Sequence, residues 1–362
     1  MLKIPCSLEH CGIFVPSSSC THFPYIKHNS PYKYQLGRTI LMKKVMACEN
    51  KKILIFGATG YLGKYMVKAS VSLGHPTYAY ARSIKPSTHP SKLELHKEYE
   101  AMGVTIFQGE LDEHEKLVAV LRQVDIVIST LPIPQLLQQF KIINAIKDAG
   151  NIKRFIPAEF GDDPERASAL PPFEAIHENR RVIRRATEAA GIPYTYVCAN
   201  SFAAYFVDYL LHPREELEEV IVYGTGEAKA VLNYEEDIAT YTIKAATDPR
   251  AANHVLTCKP QRNIISQLDL ISCWEKKKGR MLRRIHIPEQ EILNHSKTLP
   301  PPDNIRAAII HSLFIKGQMR IEHTANNLEA SELYPDYNYT SIDNFLDICL
   351  VDPPKPKLAT LT

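Results

Sequence analysis

The chain has 362 residues, of which 45% are hydrophobic and 23% are charged. These proportions are typical of a globular protein with one large domain or two coupled domains, and they exclude wholesale disorder. The formal net charge of +3 is too small for a protein whose main partner is a nucleic-acid backbone or an anionic membrane, and no apolar run is long enough to predict a transmembrane helix.

Residues 1–49 differ in composition from the rest of the chain. They contain six Lys or Arg residues but only two acidic ones, and four prolines interrupt them. We expect a disordered extension, either an upstream translated piece before Met46 or a weak targeting peptide. Three of its cysteines lie near His10, but the segment has no Cys-x-x-Cys pair, so we expect no metal site.

The cysteines of the remaining chain show no paired spacing. Cys198, Cys258, Cys273 and Cys349 are scattered, which argues against a disulfide framework and for a reducing compartment. We therefore expect a cytoplasmic protein, or a plastid one if residues 1–49 are a transit peptide.

A glycine-rich turn opens the folded part. The β-forming run 51–56 leads directly into Gly-Ala-Thr-Gly-Tyr-Leu-Gly and then into a helical stretch. Glycines between a strand and a helix allow a tight turn and let the backbone approach a pyrophosphate at the amino end of the helix. The motif therefore predicts a dinucleotide site. Its cofactor-binding residues are Gly57, Thr59, Gly60, Tyr61, Leu62 and Gly63.

The charge after the second strand indicates which dinucleotide binds. NAD-binding proteins place an acid near the ribose 2′ position, but no Asp or Glu occurs between Lys64 and Leu93. Arg82, Lys85 and Lys92 occur there instead. Because a guanidinium can hold a 2′-phosphate with paired hydrogen bonds, we predict NADPH, with Arg82 and Lys92 as its contacts. Lys85 could equally be a solvated loop charge.

Strands and helices then alternate along the chain. Such alternation predicts an α/β fold, a Rossmann-type doubly wound parallel sheet with a smaller α/β substrate-binding lobe. The predicted strands are 76–81, 104–107, 124–129, 154–157 and 193–199, and the predicted helices are 113–123, 135–149 and 172–190.

Ligands of such sheets bind beyond the carboxyl ends of the strands. The segments there are 130–132, 158–161 and 200–202, which we expect around the nicotinamide. Thr130, Glu159, Phe160 and Asn200 are the predicted cofactor contacts in these segments.

Several motifs identify a family resemblance. They are the glycine-rich turn, Gly-Glu-Leu-Asp at 109–112, Asn-Ile-Lys-Arg-Phe-Ile-Pro at 151–157, Glu-Phe-Gly at 159–161, and Ala-Asn-Ser-Phe-Ala-Ala-Tyr-Phe at 199–206. Together they resemble the plant isoflavone reductase-like reductases of phenylpropanoid metabolism, which are NmrA-like atypical short-chain dehydrogenases. Val-Tyr-Gly-Thr-Gly-Glu-Ala-Lys at 222–229 and Asn-Tyr-Glu-Glu-Asp-Ile at 233–238 are most similar to eugenol and isoeugenol synthases.

The resemblance implies an NADPH-dependent reaction. A coniferyl ester loses its carboxylate to give a quinone methide, which a hydride then reduces to a phenylpropene. The sequence independently excludes the usual carbonyl-reduction device, since none of the eighteen tyrosines is followed by Lys four residues later.

The resemblance also implies a catalytic lysine on the long helix, where this chain has Arg180. An arginine stays protonated and cannot serve as a base. Three interpretations are open. Arg180 stabilises a phenolate electrostatically while water or His177 takes the proton; or the chain is a related isoflavone or phenylcoumaran benzylic ether reductase; or it is a non-catalytic NADPH-binding paralogue.

The helix around Arg180 also has a purely structural interpretation, because four arginines within six residues often form a solvated face. Helical periodicity places Arg180 with Ile176, Ile183 and Thr187, and Arg181 and Arg185 on another side.

The predicted substrate contacts are Ile133, which follows the fourth-strand loop, together with Tyr205 and Ile309, which the resemblance implies. Tyr205 and Ile309 could equally be core residues.

We expect a disordered 1–49, an NADP-binding Rossmann domain at 50–205, a mainly substrate-binding lobe at 206–354, and a tail at 355–362. Lys276–Lys278 should be a solvated helix end. The expected partner is a small phenylpropanoid ester, with no nucleic acid and no membrane, and a homodimer is one option.

Overall fold

The nucleotide-binding part is built on short, apolar strands. A computed structural model describes residues 50–85, 89–320 and 327–356, so the expectations for 1–49 lie outside the described residues. The four residues of the first strand, Ile-Leu-Ile-Phe, are all buried because helices cover both faces of the sheet. The strands of this part are β1 (Ile53–Phe56), β2 (Thr77–Ala81), β3 (Thr105–Gln108), β4 (Ile126–Ser129) and β5 (Arg154–Ile156).

These five strands form one parallel sheet in the order β3-β2-β1-β4-β5. A parallel bridge from Phe155 to Tyr194 places β6 (Thr195–Cys198) beside β5, and β10 (His254–Thr257) and β13 (Asn327–Glu329) continue outward. This architecture confirms the predicted doubly wound α/β fold.

Helices alternate with these strands as predicted. The first helix starts at the glycine-rich turn, and the long helix that carries Arg180 precedes β6. The helices are α1 (Tyr61–Ser72), α2 (Pro90–Ala101), α3 (His114–Leu121), α4 (Gln139–Ala149) and α5 (Pro171–Ala189).

Residues after β6 add small sheets and further helices. Their strands are β7 (Ser201–Phe202), β8 (Glu219–Tyr223), β9 (Lys229–Asn233), β11 (Ile264–Ser266) and β12 (Arg283–Ile287). β9 lies between β7 and β11, and β8 pairs with β12. The helices are α6 (Ala203–Leu211), α7 (Glu235–Thr247), α8 (Gln267–Lys278), α9 (Glu289–Thr298), α10 (Asp303–Ile310), α11 (Ala330–Leu333) and α12 (Ile342–Val351).

The residues after 205 serve both parts of the molecule. α7 packs on the nucleotide-binding sheet, where Ile238 and Tyr241 share a core with Ile53 and Met66. α6, α8 and α12 bury a separate core. The boundary at 205/206 therefore stays a prediction.

Two local expectations differ from the structure. α4 begins at Gln139 instead of 135. Residues Ile133–Gln138 form a 3₁₀ turn before it, and Pro134 lies at the start of that 3₁₀ turn. Lys277 is not simply solvated: its ammonium lies 3.1 Å from Asp343 and 2.5 Å from Asp347, so it ties α8 to α12.

Candidate functional site

A cavity of about 920 Å³ opens at the carboxyl ends of the parallel strands. The loops that follow β1 to β6 all contribute lining residues, as expected for this fold class. One lining residue from each loop is Gly57, Arg82, Gly109, Thr130, Glu159 and Asn200. α1, α5, α6 and α10 also contribute to the wall.

The glycine-rich turn has space for glycine only. A Cβ on Gly63 would lie 2.1 Å from the Gly57 carbonyl oxygen, and a Cβ on Gly57, whose φ is +74°, would lie 2.8 Å from the Thr130 carbonyl oxygen. Gly60 occupies the N-cap of α1, and its neighbours Thr59, Tyr61 and Leu62 line the cavity. The positive end of α1 therefore faces a space that suits a pyrophosphate.

The predicted phosphate contacts both belong to the cavity wall. Arg82 and Lys92 both line the cavity, and both side chains are exposed. Asp112 lies on the same wall, with its carboxylate 2.5 Å from the Lys141 ammonium.

Three predicted cofactor residues use their side chains to build the loops. The Thr130 hydroxyl donates to the Phe56 carbonyl (2.9 Å), and the Asn200 amide donates to the Cys258 carbonyl (2.6 Å). Both carboxylate oxygens of Glu159 accept from Arg184, at 2.8 and 2.6 Å.

The backbone of two of these loops is left-handed. Phe160 has φ 41° and Asn200 has φ 58°, a region that costs non-glycine residues energy. The backbone N–H of Asn200 donates a hydrogen bond to the Gly161 carbonyl at 3.2 Å, which holds the two loops together. Strain of this kind concentrates at functional sites.

Arg180 is buried at the cavity wall, with 7% of its surface exposed. Its guanidinium lies over Gly161, where a Cβ would meet Nη1 at 2.8 Å. Nε and Nη1 are buried without a hydrogen-bond partner among the described residues. Burial lowers the pKa of Arg180, while Glu159 and Asp162 favour the cation. A buried cation with unused donors is suited to an anionic ligand atom.

The neighbouring arginines have structural partners. Arg181 pairs with Glu174 and Glu178, and Arg185 with Glu165. Arg184 is buried between Glu159 and Asp163. Arg180 is buried whereas Arg181 and Arg185 form ion pairs nearer the surface, so the predicted separation of Arg180 from these two is observed.

His177 is fully buried, and its ring packs against Phe173 at 4.5 Å. Burial and the nearby Arg180 lower its pKa to about 4, so the ring is neutral at pH 7. Phe173 lines the cavity, whereas His177 is not among the described lining residues. This position does not support the alternative in which His177 takes a proton from a ligand.

The predicted substrate contacts converge on one end of the cavity. Ile133, Tyr205 and Ile309 all line it. Burial raises the pKa of the Tyr205 phenol, while the nearby Arg306 lowers it. Arg306 lies at the same end, with its guanidinium carbon 5.8 Å from the Tyr209 ring centre.

Sequence reasoning missed three charged residues of this region: Asp162, Glu235 and Arg306. Asp162 could have been found, because it follows Glu-Phe-Gly at the carboxyl end of β5. Arg306 has no local signal, since only the tertiary fold brings α10 to the cavity.

Glu235 joins the two ends of the site. It is fully buried and accepts hydrogen bonds from the Tyr61 hydroxyl (2.7 Å) and from the amides of Ala204 (3.1 Å) and Tyr205 (3.4 Å). Burial outweighs these bonds and raises the pKa of Glu235 to about 7. The carboxyl thus connects the start of α1 to the first turn of α6.

No group of three His, Cys, Asp or Glu side chains within the described ranges could hold a metal ion. Over the same ranges, the helices are all too short or too polar to cross a bilayer.

Three comparisons place the chain among known proteins. The model of the NmrA-like family matches residues 49–346. Isoeugenol synthase 1 from Petunia hybrida is 65% identical over 311 residues, which cover 85% of this chain and 96% of that protein. A crystal structure of isoflavone reductase is 39% identical, with a TM-score of 0.78 over 82% of this chain and 99% of its own. The binary complex of leucoanthocyanidin reductase and NADPH from Vitis vinifera is 32% identical, with a TM-score of 0.77 over 83% of this chain and 100% of its own.

Proposed function

The chain belongs to the NmrA-like family, and from that premise we propose that it is an NADPH-dependent phenylpropene-forming reductase acting on a coniferyl ester. The observation that carries the proposal is one continuous cavity. It runs from the glycine-rich turn to Tyr205 and to Arg180, whose Nε and Nη1 have no partner in the described part of the chain. A hydride donor and a phenolic substrate can therefore lie side by side in one cavity. The 65% identity to an isoeugenol synthase favours isoeugenol as the product.

The residues at the nucleotide end fit NADPH. Gly57 and Gly60 line the cavity at the amino end of α1, where a pyrophosphate would be favoured, and Arg82 and Lys92 suit a 2′-phosphate. The related leucoanthocyanidin reductase was solved with NADPH. When bound, this cofactor supplies the hydride.

Arg180 stabilises negative charge on the phenol oxygen of the substrate. As the ester carboxylate departs, electron density moves from this oxygen through the ring to give a quinone methide. A guanidinium that is already buried at the cavity wall needs no reorganisation to hold the phenolate. Preorganised donors of this kind contribute about 10²–10³ in rate.

Apolar side chains protect the reactive intermediate. Ile133, Ile309 and Leu313 line the substrate end. A quinone methide also reacts with water, so these apolar side chains favour reduction over hydration by limiting the space for water.

The test is an assay of the full chain with NADPH and coniferyl acetate, with products identified by gas chromatography. We expect isoeugenol from the wild type and a loss of about 10²–10³ in kcat for Arg180→Met. Arg185→Met is the matched control, because Arg185 is 61% exposed and pairs with Glu165. It should retain wild-type activity.

Arg180→Lys, measured beside them, separates the alternatives. Turnover by the lysine variant alone would contradict the proposal and favour a paralogue that has lost the reaction. Turnover of an isoflavone or a phenylcoumaran, but not of coniferyl acetate, would instead support the related reductase activities.

A cytoplasmic location and a homodimer also stay proposals. The location rests on the scattered cysteines, which argue for a reducing compartment, and a fluorescent fusion would test it. Light scattering would test the homodimer.

A further inference from the structure

The proposed reaction requires a proton acceptor that Arg180 cannot provide. A phenol with a pKa of about 10 must lose its proton as the ester carboxylate leaves, and an arginine remains protonated in proteins. This inference therefore rests on the proposed function and concerns the group that takes the proton.

Among the described residues that line the cavity, the carboxylates are Glu110, Asp112, Glu159 and Asp162. Glu110 and Asp112 follow β3, on the wall with Arg82. Glu159 already accepts hydrogen bonds from Nε and Nη2 of Arg184, one on each carboxylate oxygen. Asp162 remains, and it is the carboxylate that lies on the Arg180 side without an arginine bound to it in the described part of the chain.

Asp162 is held in a fixed orientation. It is 4% exposed and accepts a hydrogen bond from the Gln318 side-chain amide. Gln318 is itself fixed, because its carbonyl oxygen accepts from the Val231 amide (2.7 Å) and the Ser201 hydroxyl (3.2 Å). The carboxylate is therefore preorganised at the cavity wall.

The groups that act on Asp162 come from three directions. Arg180 acts on Asp162 from α5, Asp163 acts on it from the next position in the chain, and Gln318 donates a hydrogen bond from the third direction. Arg180 and Asp162 act on each other electrostatically, but no ion pair joins them among the described residues, unlike Arg184 and Glu159 at 2.6 Å. Both side chains line the cavity, so both face the space that a ligand would occupy.

We propose that Asp162 accepts the phenolic proton while Arg180 holds the phenolate, and that Asp162 returns the proton after reduction. The phenol O–H bond breaks, and acetate leaves with the electron pair of its C–O bond. Hydride from NADPH adds to the quinone methide, and the O–H bond forms again. The products are the phenylpropene, acetate and NADP⁺, and no proton is exchanged with solvent. A buried carboxyl is thus sufficient.

The environment of Asp162 supports this role. Burial raises the pKa of this carboxyl, whereas Gln318 and Arg180 lower it. A raised pKa of Asp162 is closer to the pKa of the phenol, and this makes the carboxylate a better proton acceptor.

The first measurement is the pH dependence of turnover by full-length Asp162→Asn. We expect kcat near pH 7 to fall by about 10²–10⁴ and then to rise with pH towards the wild-type value, as the substrate phenol ionises before reaction. Glu178→Gln is the matched control, because it removes one carboxylate from the exposed side of α5. A deficit in Asp162→Asn that is equal at every pH would indicate a structural role and overturn the proposal.

A second measurement does not depend on turnover. The unreactive phenol 4-hydroxy-3-methoxyacetophenone is bound to the NADP⁺ complex, and its ionisation is followed by absorbance. Removing a nearby carboxylate should lower the pKa of the bound phenol by about one unit or more in Asp162→Asn. Identical titrations in wild type and variant would overturn the proposal. If Asp162→Asn lowers the pKa of the bound phenol but the wild type does not turn over coniferyl acetate, Asp162 lies beside the phenol and only the proposed function is rejected.

Discussion

At the scale of single residues, identical side chains acquire different roles from their position. Arg180 and Arg184 lie one helical turn apart on α5 and are both buried. Arg184 has two carboxylate partners, so it is part of the framework. Arg180 retains unused donors at the cavity wall. Helical phase predicts which arginines point inward, but only the positions of the carboxylates distinguish the two that do.

Arg82 gives a prediction at this scale. Replacing it with alanine should weaken NADPH binding about tenfold or more, because a charge-assisted contact to the 2′-phosphate is lost. NADH binding should barely change. Titration calorimetry measures both, and Arg122→Ala, an exposed arginine at the end of α3, is the control. An equal loss for both cofactors would contradict phosphate selection by Arg82.

At the scale of elements, one buried carboxyl connects two helices. Glu235 accepts hydrogen bonds from the Tyr61 hydroxyl at the start of α1 and from two backbone amides in the first turn of α6. A negative charge is favourable at the amino end of a helix. Tyr205, a predicted substrate contact, lies in that turn. Glu235 therefore positions the cofactor turn and the substrate wall together.

The raised pKa of Glu235 predicts how stability depends on pH. Its pKa is about 7 in the folded protein against 4.5 as the ordinary value, so the folded state holds this proton more tightly. Its contribution to the free energy of unfolding is lost as pH rises from about 4.5 and is gone above about 7, a change on the order of 3 kcal/mol.

Denaturant unfolding of wild type and Glu235→Gln between pH 5 and 8 tests this dependence. The stability difference should change with pH, because other titrating groups cancel between the two proteins. Glu236→Gln, an exposed neighbour on α7, should show a constant difference. A constant difference for Glu235→Gln as well would rule out the raised pKa.

Element boundaries show where local sequence patterns are insufficient. α2 was not predicted, because its sequence Pro-Ser-Lys-Leu-Glu-Leu-His-Lys-Glu-Tyr-Glu-Ala is polar and buries only Leu95, His96 and Tyr99. Its apolar stripe is too narrow to stand out from a loop. The long helix α5, with a broad buried face, was predicted within one residue at each end.

At the scale of the whole molecule, the cavity is walled by both parts of the chain. Loops of the nucleotide-binding sheet line one side, and α6 and α10 line the other. A dinucleotide bound there contacts residues that only the folded chain brings together. Cofactor binding should therefore stabilise the protein as a whole.

Thermal unfolding should show this coupling. NADPH at a hundredfold excess over its Kd should add about 2.7 kcal/mol of stability and raise Tm by several degrees. NADH at the same concentration should raise Tm less, because it lacks the 2′-phosphate. Equal shifts with both cofactors would be inconsistent with the proposed selectivity.

The sequence by itself determined the alternation of the parallel strands with most of their helices, the dinucleotide turn and the positive charge expected at the cofactor phosphate. These features depend on near neighbours in the chain: apolar runs, glycines at fixed spacing, and an acid-free stretch after β2. The tertiary structure alone decided which buried arginine keeps free donors, and it brought Glu235 and Arg306 to the site. Their positions depend on burial and on partners distant in sequence, such as Tyr61 for Glu235, and no local pattern encodes those contacts.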